Sequence, residues 1–218
     1  MTNATDLETH PKRRAGRERN HTLLIEATLD AIAEEGFSGT SVSAIVARAG
    51  LSRGMVHLHF SGKEKLLEEA ARHSGNAYFA SLEGVFSQAD IPAEQRIAAV
   101  IQNDLSEAVL NERTVRIWYA FRGESRDRAG IRQFSDTRDD RLRSFVLTAF
   151  QELASSDRTA DPNVLARDAT HGTLAILVGM WTDYLLHPRA FNRETAKRIV
   201  FRFLGAMFPL HFSQAGPK

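Results

Sequence analysis

Between Thr40 and Lys63 the chain reads TSVSAIVARAGLSRGMVHLHFSGK, two short apolar stripes of helical period on either side of a single glycine. Val42, Ile45, Val46 and Ala49 recur at spacings of three and four, which gives a short helix one buried face, and Ser41 precedes it as an N-cap. Gly50 stops that helix and Leu51 plugs the turn. Ser52 is a second N-cap, and Arg53 to Phe60 forms another short helix with Val56 and Phe60 inward and Arg53, Met55, His57 and His59 outward. Ser61 and Glu64 have the spacing of a capping box for a longer helix starting near Lys63. Paired short helices with a tight glycine turn have the shape of a helix-turn-helix, whose second helix enters the DNA major groove.

The rest of the chain reads as helix. A helix from Asn20 to Glu35, ended by Gly36, carries Leu24, Ala27, Thr28, Ala31 and Ile32 on one face and covers the back of the two short helices. The helix from Lys63 runs to about Leu82, with Leu66, Leu67 and Ala70 inward. After a polar break at residues 87–90, a helix opening at Pro92 takes in Ile97, Val100, Ile101, Leu105 and Val109. An aromatic helix follows over 113–122, then a long polar-rich one over 126–154, interrupted near Gly130, with Phe134, Leu142, Phe145, Val146, Ala149, Phe150 and Leu153 on its inner face. The linker SSDRTADP ends at Asp161-Pro162, an N-cap and N1 pair, and opens the most apolar helix, which runs to His187. Asn192 caps the last helix, whose stripe is Ala196, Ile199, Val200, Phe203, Leu204 and Met207. The expected fold class is all-α: an N-terminal three-helix helix-turn-helix domain at 18–64 after a flexible basic arm at 1–17, then a helical bundle at 65–212 for effector binding and dimerisation.

Composition narrows the class. The 218 residues are 43% hydrophobic and 25% charged, which suits a compact fold rather than a disordered chain. Without cysteine there is neither a disulfide framework nor a thiolate metal site, and no stretch reaches the roughly 20 apolar residues that cross a bilayer. A cytoplasmic protein with no membrane association, no cofactor and no metal is expected. The formal net charge is only +1, but Lys12, Arg13, Arg14, Arg17 and Arg19 crowd ahead of the first helix against Glu18 alone, and beside a helix-turn-helix such a run can reach DNA backbone or minor groove.

Catalysis finds little support. Gly50-Leu51-Ser52-Arg53-Gly54 matches the G-x-S-x-G expression of serine hydrolases, yet that elbow needs a strand leading in, and here a helix does. His57 and His59, two apart on a helix, point about 200° from one another and make a poor metal pair.

The run Gly36-Phe37, Thr40-Ser41-Val42, Ile45-Val46, Ala49-Gly50-Leu51-Ser52, Gly54, His59-Phe60, Lys63 and Leu66 resembles the N-terminal domain of TetR-family transcriptional regulators over about residues 18 to 67, without a gap. His57 stands where that family usually has a tyrosine that touches a DNA phosphate; a histidine can still donate there, with a pH-sensitive contact. The stretches WYAFRGESRDRAGIRQFSDTRDDRLRS and GTLAILVGMWTDYLL resemble the choline-responsive, BetI-type branch. The resemblance implies a repressor released from a palindromic operator by a small-molecule effector, a quaternary ammonium or equally a flat hydrophobic molecule. The competing reading is a helical ligand-binding or scaffold protein without operator binding.

For DNA, Arg53 is the candidate base reader, since a guanidinium can donate twice to guanine, and Met55 could touch a thymine methyl. Thr40, Ser41, His57, His59 and Lys63 are the candidate phosphate holders, with Ser52 beside them. Trp118, Tyr119, Phe121, Trp181 and Tyr184 are either ordinary core or an aromatic effector site, with Asp183 or Glu124 as charge partners. The two terminal helices are either core or the four-helix interface of a homodimer through Gly172, Ile176, Gly179, Phe203 and Met207. A dimer would set two reading helices about 34–36 Å apart on successive turns of a palindrome.

Overall fold

The computed structural model describes residues 4–86, 91–156, 161–213 and 215–217, with the side chains of 4–12, 85–86 and 133–138 left aside. The break at 87–90, residues 157–160 of the linker, and the side chains of Lys12 and Phe134 therefore lie outside the described residues. The chain folds as helices α1 (Ala4–Gly39), α2 (Val42–Ala49), α3 (Arg53–Phe60), α4 (Lys63–Ala80), α5 (Glu83–Phe86), α6 (Ala93–Asp104), α7 (Glu112–Glu124), α8 (Ala129–Ser156), α9 (Pro162–Leu186) and α10 (Arg193–Met207). A two-residue antiparallel pair, β1 (Phe212–Ser213) and β2 (Gly216–Pro217), closes the described chain in the register Phe212 to Pro217. Contacts divide it into two compact units, Met1–Ser74 with Arg116–Gln133, and Gly75–Val115 with Phe134–Lys218.

In the first unit the helix-turn-helix is built as its sequence requires. Ser41 Oγ accepts the Ala44 amide at 3.1 Å and starts α2. At its end Gly50 takes φ 65°, and the Leu51 amide reaches the Val46 carbonyl at 3.0 Å while that of Gly50 reaches Ala47 at 3.4 Å. This is a Schellman closure, which needs the left-handed conformation that glycine adopts without a Cβ penalty. Ile45, Val46, Val56 and Phe60 pack inward with Leu24, Ala27, Thr28, Ala31 and Ile32 of α1 and Leu66, Leu67 and Ala70 of α4, all buried.

Several local expectations are corrected. Helix begins at Ala4 rather than near Asn20, because Ala, Glu, Lys and Arg are good helix formers and Arg14 pairs with Glu18 one turn on at 2.9 Å. Gly36, at φ 75° and ψ 172°, breaks α1 where a stop was expected, and a short turn follows it to Gly39. The capping box does not form: Ser61 adopts φ 62° as the cap that ends α3, and Glu64 is held by Arg128 Nη1 at 2.5 Å. Ser52 occupies the N-cap position of α3, but its side chain makes no cap bond. Gly130 does not interrupt α8, which starts at Ala129.

In the second unit α6 ends at Asp104, short of the expected Val109. Arg193, the first residue of α10, holds the turn that follows α6 by donating to the Leu105, Ser106 and Leu110 carbonyls at 2.9, 3.4 and 2.7 Å. A charged donor on backbone carbonyls is worth more than a neutral one. Asp161 caps α9 through the Asn163 and Val164 amides, both at 3.1 Å, and Asn192 caps α10 through Thr195 at 2.8 Å. Phe150 and Phe208 stack at 5.5 Å, and with Phe212 they are the largest fully buried side chains. Each such ring contributes roughly 1.5–3 kcal/mol relative to exposure. Gly172 packs directly beneath Phe203: a Cβ there would lie 2.3 Å from Phe203 Cζ, so the absence of a side chain sets the approach of α9 to α10.

Candidate nucleic-acid interface and effector site

The outer side of α3 carries Arg53, Gly54, His57 and Leu58, all exposed, with Met55 half-buried. Arg53 Nη2 donates to Ser43 Oγ of α2 at 2.6 Å, which steadies the guanidinium at the edge of the pair without burying it. Ser41 is exposed at the start of α2, and Lys63 half-buried at the start of α4. Helix N-termini with exposed hydroxyl or ammonium groups suit phosphate oxygens.

Two of the expected phosphate holders fall elsewhere. Thr40 is only 1% exposed and its Oγ1 donates to the Gly36 carbonyl at 2.8 Å, so it ties the α1 break to the start of the reading head rather than facing solvent. His59 turns back toward α1. Its ring lies 6.1 Å from His21, which stacks on Phe60 at 4.5 Å, and its Nε2 is buried without a hydrogen-bond partner. Burial pushes the His59 imidazole below its ordinary 6.5, and the nearby His21 and Arg17 add to the shift. Along α3, Val56, Phe60 and the turned-back His59 define one side, which leaves His57 as the outward histidine.

The five expected aromatic residues are divided between the two units. Trp118, Tyr119 and Phe121 belong to the part of α7 in the first unit, whereas Trp181 and Tyr184 belong to the second. Phe121 is buried edge-on to Phe37 at 6.1 Å, and Arg122 lies 4.7 Å over the Trp118 ring. Tyr184 meets Phe191 at 5.4 Å and carries Arg193 at 5.3 Å from its ring centre. The faces of Trp118 and Tyr184 therefore already hold a cation from the chain itself. The expected charge partners are engaged too: Asp183 contacts His187 at 3.0 Å, and Glu124 pairs with Arg128 at 3.0 Å.

A different group emerges within the second unit. Asp104 is 5% exposed; its Oδ2 accepts the indole N–H of Trp181 at 2.9 Å and its Oδ1 accepts the hydroxyl of Tyr78 at 3.0 Å. Trp181 and Tyr78 are themselves buried. A carboxylate placed there costs several kcal/mol of desolvation, which apolar packing would avoid. The signal was present in the sequence: Asp104 sits four residues after Val100 and three after Ile101, inside the apolar stripe of α6.

At the presumed interface Gly179 has open space where a Cβ would stand, and Val178 and Ile199 are 41% and 45% exposed, so α9 and α10 keep an apolar side turned outward. Gly172, seven residues before Gly179 and so on the same side of α9, is covered by Phe203 of the same chain. Among the described residues no three acidic or histidine side chains gather as a metal site would, and no helix is long and apolar enough to cross a membrane.

Residues 24–70 match the family described as bacterial regulatory proteins, tetR family, and residues 93–209, more than half of the chain, match the BetI-type transcriptional repressor C-terminal family. The HTH-type transcriptional regulator BetI of Pectobacterium carotovorum is 30% identical over 185 residues, 83% of this chain and 90% of its own length. Its counterpart in Burkholderia thailandensis is 28% identical, over 84% and 90%. Among solved structures, a transcriptional regulator from Pseudomonas aeruginosa PAO1 superposes with a TM-score of 0.78 at 28% identity, covering 88% of this chain and 92% of that one. One from Saccharomonospora viridis, solved in complex with choline, shares the fold at a TM-score of 0.72 and 21% identity over 88% and 96%. The chain therefore belongs to the TetR family of bacterial transcriptional regulators, with a BetI-type C-terminal domain, and is a DNA-binding regulator rather than an enzyme.

Proposed function

We infer that the protein is a homodimeric repressor that occupies a palindromic operator through α3 and leaves it when a small cationic effector engages the second unit at Asp104. The observation that carries the effector half is the buried carboxylate held by one indole and one phenol. A buried carboxylate is costly to keep for stability alone, and a negatively charged group in a bundle can help to choose a positively charged ligand. The choline complex of the Saccharomonospora viridis regulator supports the same ligand class, at the level of a shared fold. On the DNA side the exposed Arg53 is the base reader, while Ser41, His57 and Lys63 meet phosphates. Dimerisation uses the outward side of α9 and α10 around Gly179 and Ile199.

Three helices, α4, α7 and α8, each continue from one compact unit into the other along their own length, so a change at Asp104 has covalent routes to the reading head. Within the first unit Arg116 donates to the Ala33 carbonyl at 3.2 Å, and Arg128 pairs with Glu64 at the start of α4 while lying 5.1 Å over Phe37. The α7–α8 corner is thereby fastened to the ends of α1 and α4. A coupling of about 1–3 kcal/mol between effector and operator changes affinity from several-fold to about a hundredfold.

The test is a gel shift and a salt titration with duplex DNA from upstream of the protein's own gene. Specific binding should fall steeply with salt, and Arg53→Ala should lose about 10- to 100-fold for the specific duplex while non-specific binding changes little. Equal losses on both duplexes would reduce Arg53 to a phosphate contact, and a flat salt response would remove the operator reading.

A further inference from the structure

The reading helix carries an apolar side chain where a soluble surface would carry a polar one. In α3 the buried residues Val56 and Phe60 fix the inner side. Leu58 lies two residues from each, about 200° around the helix axis, and so projects directly away from the core. It is 63% exposed, and among the described residues of this unit the only other large apolar side chain so exposed is Leu23 at 40%. Gly54 and Met55, four and three residues earlier, share its side of the helix. Gly54 has only Ser52 Oγ, at 3.9 Å, near the position of a Cβ, so the strip beside Leu58 is bare backbone. His57 and Arg53, both exposed, lie together on one side of it, about 100° and 140° around the axis, and supply hydrogen-bond donors there.

A lone exposed leucine is unremarkable by itself. Here it is the outermost point of an eight-residue helix bordered by donors that suit a polyanion, which selects a nucleic-acid groove as the occupant. The major groove displays one apolar group, the C5 methyl of thymine. We propose that Leu58 is a specificity-determining residue that packs on a thymine methyl in each operator half-site, beside the base read by Arg53. The proposal rests on the DNA-binding reading above. It differs from the sequence-based choice of Met55, whose side chain is half-buried and less able to reach the groove floor.

The test uses the full-length protein. Duplexes enriched from a random library supply a binding site, and each thymine in it is then replaced singly by deoxyuridine, which removes the methyl and nothing else. Dissociation constants are measured by fluorescence anisotropy for the wild type and Leu58→Ala. One position per half-site should weaken wild-type binding by about fourfold, the effect of one buried methyl, and Leu58→Ala should bind thymine and uracil there equally. If no thymine is sensitive, or Leu58→Ala keeps the same penalty, the proposal is overturned while operator binding stands. If no duplex is enriched, the DNA-binding reading itself fails and takes the proposal with it. Should Leu58→Ala bind too weakly to titrate, Leu58→Met must keep the thymine preference and Leu58→Gln must lose it; equal penalties in the two overturn the assignment.

Discussion

Replacing Asp104 by asparagine removes one charge from the second unit with almost no change of shape, which makes it the sharpest probe of the effector site. Asparagine can meet both existing partners. Its carbonyl oxygen accepts the Trp181 N–H, which can only donate, and its amide group then faces Tyr78, whose hydroxyl can rotate to accept. Exchanging two charge-assisted bonds for neutral ones costs about 2 kcal/mol before the relief of carboxylate desolvation offsets part of it, so the variant should fold and bind operator DNA normally. The effector response should behave differently. A cation about 5 Å from the carboxylate interacts with it by about 3 kcal/mol at an effective dielectric of about 20, so losing the charge should raise the effector concentration needed for release by about a hundredfold. The assay is operator binding by anisotropy, titrated with choline as the probe, on wild type and Asp104→Asn, with Asp104→Leu as a contrast that leaves the Trp181 N–H buried without an acceptor and costs a further 1–3 kcal/mol or so. Choline release at the same concentration in Asp104→Asn as in wild type would refute the countercharge argument and leave Asp104 as a clamp for Trp181 and Tyr78.

The two glycines of α9 should separate. Gly172→Ala sets a Cβ against the tip of the Phe203 ring within one chain; an overpacking cost of about 1–3 kcal/mol, offset by the roughly 1 kcal/mol that alanine gains over glycine inside a helix, should lower Tm by a few degrees at most. Gly179→Leu, where space is open, should instead shift the mass by light scattering toward monomer with helicity by circular dichroism intact, and the reverse pattern would reassign both positions. His59 titrates in the other direction from a paired histidine. With its folded-state pKa held below 6.5 by burial, His21 and Arg17, it takes up fewer protons folded than unfolded, so its contribution is complete above that pH and is lost as the pH falls through 6.5 toward the folded value. Urea midpoints measured from pH 7.5 down to pH 5, as suggested conditions, should therefore decline less in His59→Phe than in wild type, and parallel curves would mean that the imidazole takes up its proton as readily in the fold as in the unfolded chain.

Helix positions and caps were largely legible from local chemistry. Ser41, Gly50, Asp161 and Asn192 each act on amides or carbonyls within three or four residues of themselves, and their roles survive into the fold unchanged. Tertiary partners decided the rest. Ser61 and Glu64 had the spacing of a capping box, but Arg128, 64 residues away in sequence from Glu64, takes the carboxylate instead. The apolar pattern past Asp104 permitted a longer α6, whereas Arg193, 88 residues from Leu105, holds the turn in which the chain leaves it. Aromatic spacing likewise located Trp118 and Trp181 on their helices, but periodicity within a helix carries no information on which other helix each will meet.

The two features that hydrophobic patterning treats as errors are the ones on which the proposed effector and operator contacts rest. An apolar stripe containing Asp104 and a polar face containing Leu58 each break the pattern that ordinarily builds a helical bundle. Neither helix needs its exception to fold: α6 already has Ile97, Val100 and Ile101 fully buried, and α3 is anchored by Val56 and Phe60. Both exceptions instead fit the recognition proposed above, of a positive charge inside a bundle and of a methyl group on the floor of a groove. A chain selected for stability alone would have lost them first.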